Sequence, residues 1–151
     1  MNIHELLNHG TIMLPLDVDT REDAIRQMAA SLERSGSITH LDAYIEAVLR
    51  REQQSSTGIG FGVAIPHGKS AGVSKASLAF ARFNKSIDWD SLDGSPATMA
   101  FMIAVPEANV GNEHLQILVA LSRKLIHEDF RQQLTDAQTP DEIIEILAKN
   151  I

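Results

Sequence analysis

His67 closes a short apolar run, Val63-Ala64-Ile65, between Pro66 and Gly68, with Gly58, Gly60 and Gly62 just upstream. A side chain held there is presented to a partner with little cover. A neutral imidazole is nucleophilic near neutral pH, and a phosphoryl group that it accepts is readily passed on, because the adduct is a good donor. In the loose transition state of phosphoryl transfer the charge sits on the transferred oxygens, so the protein must position the group and donate hydrogen bonds to it. The candidate donors are the backbone amides of Gly68 and Lys69, the hydroxyls of Ser56 and Thr57, the guanidinium of Arg51, and a second imidazole, His114. His114 lies in Asn112-Glu113-His114-Leu115, near the start of a predicted helix, where free amides and the helix dipole favour anions.

Each of these residues also has a plainer reading. A glycine-rich stretch ending in histidine serves as a tight strand connection, His114 reads as a solvated first-turn residue, and Arg51 as an exposed charge paired with Glu46 or Glu52. Gly58-Ile59-Gly60-Phe61-Gly62 is not a dinucleotide fingerprint, because the strand and helix that should flank it are missing. It also lacks the Lys-Ser or Lys-Thr ending of a nucleotide-binding loop. His4, His9, His40 and His127 sit in polar contexts and receive no role. Met99 and Met102 read as strand core, and Trp89 as a loop anchor.

The elements that must position these groups follow from periodicity. Ile3 to Leu7 suggests a short helix, and Thr11 to Leu14 an extended piece that Pro15 should end. From Thr20, Ala24, Ile25, Met28, Ala29 and Leu32 recur at helical spacing, with Thr20 and Asp23 as a capping box and Gly36 as a stop. A second helix is predicted to begin at Thr39, with Leu41, Ile45, Val48 and Leu49 on one side and Arg50 and Arg51 in its last turn. Val63 to Ile65, Ala76 to Phe83 and Ala97 to Val105 read as strands. The turn formers between Asp88 and Pro96 predict that the last two pair antiparallel. Beyond them come a helix with Leu115, Leu118, Val119, Ser122 and Leu125 in one stripe, a short segment around Phe130 to Leu134, and a final helix. Thr139 caps that helix, with Pro140 at its first position. Helices, then strands, then helices imply an α/β or α+β fold: one domain over residues 1–151, a sheet covered by helices.

The 151 residues, 44% of them apolar, suffice for one core. Thirteen Lys and Arg against twenty Asp and Glu give a net charge of -7, which disfavours nucleic acid as a partner. Cysteine is absent, which excludes a thiolate metal site and a disulfide framework. The start, Met1-Asn2-Ile3-His4-Glu5, lacks a signal-peptide pattern, and no apolar run reaches membrane-spanning length. Cytoplasm is therefore the expected location, without direct membrane insertion.

Ser-Thr-Gly-Ile-Gly followed by Gly-x-Ala-Ile-Pro-His-Gly-Lys, with an arginine sixteen residues before the histidine and Asn-Glu-His-Leu after the strands, resembles the fructose/mannitol-type IIA domains of the bacterial sugar phosphotransferase system. The likeness is greatest to their nitrogen-regulatory branch and covers nearly the whole chain. It implies a mixed sheet with helices on both faces. It places the phosphorylated histidine on His67, the second active-site histidine on His114 and the active-site arginine on Arg51, with Ser56 and Thr57 lining the pocket. It further implies that phosphate arrives from phosphoenolpyruvate through a first enzyme and a small histidine-phosphorylated carrier protein (HPr- or NPr-like). No cofactor or metal is expected, since the arginine, imidazole and amides take the place of a cation. The chain's end at Ile151 leaves no room for a IIB or membrane IIC domain and leads to the expectation of a free-standing regulator of target proteins such as kinases or transporters. A sugar-transport IIA that passes phosphate to a separate IIB protein stays open, and so does a binding module of the same fold that works without phosphorylation.

Overall fold

The structure, a computed structural model, describes residues 2–108 and 112–151. A 3-10 turn at Ile3–Leu6 and another at His9–Thr11 lead into β1 (Ile12–Leu16), α1 (Arg21–Arg34) and α2 (Leu41–Gln54). Then come β2 (Gly58–Gly60), β3 (Val63–Ala64), β4 (His67–Ser70), β5 (Ser77–Ile87) and β6 (Ala97–Pro106). Three helices finish the chain: α3 (Glu113–Leu125), α4 (Glu128–Asp136) and α5 (Pro140–Asn150). The strands form one mixed sheet in the order β1-β5-β6-β3-β2, with β4 also paired to β6. β5 and β6 are antiparallel, as the loop between them predicts; β1 lies parallel to β5, β3 and β4 lie parallel to β6, and β2 is antiparallel to β3.

Strand alternation divides the core in two. Ala79, Ala81, Ala100, Met102 and Ala104 face α1 and α2, and the small alanines let those helices lie close to the sheet. Leu78, Phe80, Met99, Phe101, Ile103 and Val105 face the opposite way, against Ile117, Leu121, Leu125, Leu134, Ile143 and Leu147 of α3, α4 and α5. Each fully buried Leu or Ile of these layers contributes roughly 1.5–3 kcal/mol. The caps expected at Thr20 and Thr139 are present, each hydroxyl accepting from the amide three residues on.

Four local expectations change. Pro15 lies inside β1 rather than ending it, because β1 is an edge strand and the register shifts between Met13 and Leu16. Thr39 does not open α2: its amide and hydroxyl both donate to the Gly72 carbonyl, and the helix starts beyond His40. The stripe assigned to α3 is rotated, since Ile117, Leu121 and Leu125 fill the core while Leu115 and Val119 stay 47% and 40% exposed. Finally, β2 and β4 are strands that carry no apolar alternation; main-chain pairing with β3 and β6 recruits them.

Candidate active site

Among the described residues β4 pairs with β6 alone, so the residues it carries stand at an open sheet edge between α2 of one layer and α3 of the other. The approach of α2 depends on Gly68. A Cβ there would meet Val48 Cγ2 at 2.9 Å and Tyr44 Cε1 at 3.2 Å, so α2 lies against the bare backbone of β4. Tyr44 fixes the same contact from the helix, its buried hydroxyl donating to the Ile103 carbonyl at 2.8 Å. Arg51 lies one helical turn beyond Val48 and is thereby carried to the edge. On the other side, His114 occupies the first turn of α3, half-buried. Arg51, His67 and His114 thus line one depression of about 340 Å³, together with Arg50, Gln54 and Lys69.

The His67 ring is held by its own strand. Nδ1 lies 2.9 Å from the Ile65 carbonyl, which can only accept, so the hydrogen is on Nδ1 and the lone pair on Nε2. Burial pushes the imidazole below its ordinary value of 6.5; the Ile65 carbonyl opposes this, Arg51 lowers the value, Glu52 raises it and His114 lowers it. The net effect is a half-buried, neutral, nucleophilic ring near pH 7.

Arg51 is anchored where it can serve the site. Its Nη1 donates to the Ser55 carbonyl at 2.7 Å, and among the described residues it makes no ion pair with a carboxylate. The surface pairing considered for it belongs instead to Arg50, which binds Glu46 at 2.7 Å. Glu52 turns inward and is buried.

The remaining candidate donors divide. In the parallel ladder, Pro66 and Ser70 accept from Ile103 and Glu107 of the β6 side. Alternation then directs the Gly68 amide towards β6 as well, and the amides of His67 and Lys69 towards the open edge. The Lys69 amide therefore faces the side from which a donor could act, whereas Gly68 matters for the closeness of α2. Ser56 and Thr57 line a second depression beside His67, of about 170 Å³, with Ile59, Leu118 and Ser122. Their hydroxyl hydrogens are committed elsewhere: Ser56 donates to the Trp89 carbonyl, and Thr57 to the Glu52 carboxylate. Sequence reasoning missed Glu52. Its signal was an acidic residue in the helix turn that also carries Arg51, which the dilution of the apolar pattern obscured.

Among the described residues no group of three His, Asp or Glu side chains is arranged to hold a metal ion, and no helix is long and apolar enough to cross a membrane.

A family model described as "Phosphoenolpyruvate-dependent sugar phosphotransferase system, EIIA 2" matches residues 5–150. The chain is 45% identical over 147 residues to the fructose-specific EIIABC component of Bacillus subtilis, spanning 97% of this chain but 23% of that relative's length. It is also 45% identical over 130 residues to the fructose-specific EIIA component of Haloferax volcanii, covering 86% of this chain and 84% of the relative. Among solved structures, nitrogen regulatory protein IIA-Ntr from Neisseria meningitidis superposes with a TM-score of 0.87 at 36% identity, over 96% of this chain and 98% of that one. The enzyme IIA of Escherichia coli in its complex with phosphorylated IIB of the mannitol system superposes with a TM-score of 0.80 at 27% identity, over 95% and 97% of the two chains.

Proposed function

Because the chain belongs to the EIIA 2 family of the phosphoenolpyruvate-dependent sugar phosphotransferase system, whose domains are phosphoryl carriers, we propose that His67 is its phosphoryl acceptor. The observation that carries this reading is the bond from His67 Nδ1 to the Ile65 carbonyl, which reserves the Nε2 lone pair for the incoming group. Nε2 attacks the phosphorus of a donor phosphohistidine in line. The new N–P bond forms as the donor's N–P bond breaks, and the donor nitrogen keeps that electron pair. The hydrogen on Nδ1 stays with the Ile65 carbonyl throughout. Arg51 and His114 hold the equatorial oxygens, where charge is greatest, and the outward amide of Lys69 is a further donor. Ser56 and Thr57 position the loop beneath the site.

The donor in this reading is a small histidine-phosphorylated carrier protein (HPr- or NPr-like). Two onward routes have separate support. The two fructose-specific relatives at 45% identity favour delivery to a IIB protein, as does the likeness to a IIA bound to phosphorylated IIB. The likeness to IIA-Ntr favours regulation of target proteins according to phosphorylation state.

Incubation with labelled phosphoenolpyruvate, the first enzyme and the carrier protein tests the acceptor. Label is expected on the parent chain and absent from His67→Ala; an unlabelled parent leaves a binding module that works without phosphorylation. Chase of the labelled protein with a IIB protein then separates the routes, since rapid loss of label marks the transport role.

A further inference from the structure

Glu52 is the buried carboxylate nearest the site, and carboxylates are rarely buried unless they are paired or hydrogen-bonded. Its Oε1 accepts from the Thr57 amide at 3.1 Å, and its Oε2 accepts from the Thr57 hydroxyl. Arg21 Nη1 stands 3.8 Å from Oε1. The Thr57 oxygen in turn accepts from Trp89 Nε1 at 3.2 Å. Two paths leave this knot. Along one, the Thr57 carbonyl accepts from the Ile65 amide at 3.0 Å, and the Ile65 carbonyl accepts from His67 Nδ1 at 2.9 Å. Along the other, two residues before Thr57, the Ser55 carbonyl accepts from Arg51 Nη1 at 2.7 Å.

We infer that Glu52 is a positioning residue for the phosphoryl site: through Thr57 it holds both the carbonyl that orients the His67 ring and the carbonyl that anchors the Arg51 guanidinium. The residue type suits this task. Thr57 offers two donors, an N–H and an O–H, and only a carboxylate can accept both with its two oxygens. Glutamine has one acceptor, so it would keep the amide bond and leave the hydroxyl hydrogen unpaired. Alanine would leave both unpaired. Glu52 and Arg51 are neighbours on the last turn of α2, so one helix end sets the acceptor ring and its cationic partner together.

The role rests on His67 being the phosphoryl acceptor, and the test has one arm that does not. In protein with nitrogen-15 histidine, the ring correlations of His67 report which nitrogen carries the hydrogen. The parent is expected to show the Nδ1–H form. Glu52→Ala should move the ring towards the mixture of a free imidazole and slow phosphoryl transfer on the order of tenfold to a hundredfold, the scale of a displaced reacting group. Glu52→Gln should fall between the two in both readouts. Should Glu52→Ala fail to fold, Thr57→Val breaks the hydroxyl half of the same link and Thr57→Ser restores it, so the first should shift both readouts to the intermediate level of Glu52→Gln and the second should shift neither. A folded Glu52→Ala or Thr57→Val protein with the parental ring form and parental transfer rate overturns the inference, even if it is less stable. If the parent takes no label at all, the proposed function fails, while the ring readout still decides the role of Glu52.

Discussion

Burial lowers the proton affinity of His67, the Ile65 carbonyl works against it, and Arg51 and His114 strengthen the lowering while Glu52 opposes it. An imidazole whose value in the fold lies below its unfolded value of 6.5 binds protons more readily when the chain unfolds. Stability owed to this group is therefore level above 6.5 and falls as the pH drops from there towards the folded value. An NMR titration should place the His67 midpoint below 6.5, and His67→Gln should lose less stability than the parent over that acidic interval. The same shift keeps the nucleophile unprotonated through neutrality. His114→Ala should still accept phosphate, because the nucleophile remains, but slowly or with a less durable adduct; single-turnover labelling and the decay of the labelled protein measure both. Arg51→Ala should slow labelling by about two orders of magnitude, the usual cost of a lost donor to a developing anion, and Arg51→Lys by less. Lysine keeps the charge and loses the fork that binds the Ser55 carbonyl while leaving other N–H groups for the proposed phosphoryl oxygens.

At the level of elements, the contact between α2 and β4 decides how near Arg51 comes to His67. Gly68→Ala would press a methyl group into Val48 and Tyr44, which should cost about 1–3 kcal/mol and slow transfer as α2 is pushed outward. The paired change Gly68→Ala with Val48→Ala should recover part of both losses, as read from denaturant midpoints and labelling rates. The elements that bring the site together were unequally visible in the chain. α1 and α5 carry apolar periods and capping hydroxyls, and both are legible in the sequence for that reason. β4, which holds the proposed acceptor, reads His-Gly-Lys-Ser and has no side-chain pattern to betray a strand; its place comes from main-chain bonding to β6, a partner more than thirty residues away. α3 offers two apolar stripes, and the one made by Ile117, Leu121 and Leu125 is fully buried in the layer that holds Phe101 and Ile103, whereas Leu118 of the other packs only partly against that layer. The candidate site residues Arg51, His67 and His114, which line one depression, are legible because their types are chemically restrictive. The bonding behind them is not: the sequence offers Thr57 as a phosphoryl donor and Trp89 as a loop anchor, but which hydrogen goes to which oxygen among Glu52, Thr57 and Trp89 cannot be read from residue types.

Across the whole molecule, the formal charge is -7, yet Arg50, Arg51 and Lys69 share one depression whose described lining has no carboxylate. A basic hollow in an acidic surface draws in a dianionic group. Raising the salt concentration should therefore slow transfer from the carrier severalfold while leaving the thermal midpoint nearly unchanged, as stopped-flow and melting measurements would register. The open flank of β4 has one more consequence. An unpaired strand edge is a template on which another chain can polymerise, and under the proposed function this one must stay uncovered for a visiting protein. Its brevity, the proline just before it and the charge of Lys69 all discourage fibril-like stacking. Lys69→Val should accordingly raise turbidity and sedimenting species in concentrated samples, the hazard that accompanies an acceptor placed on a bare border.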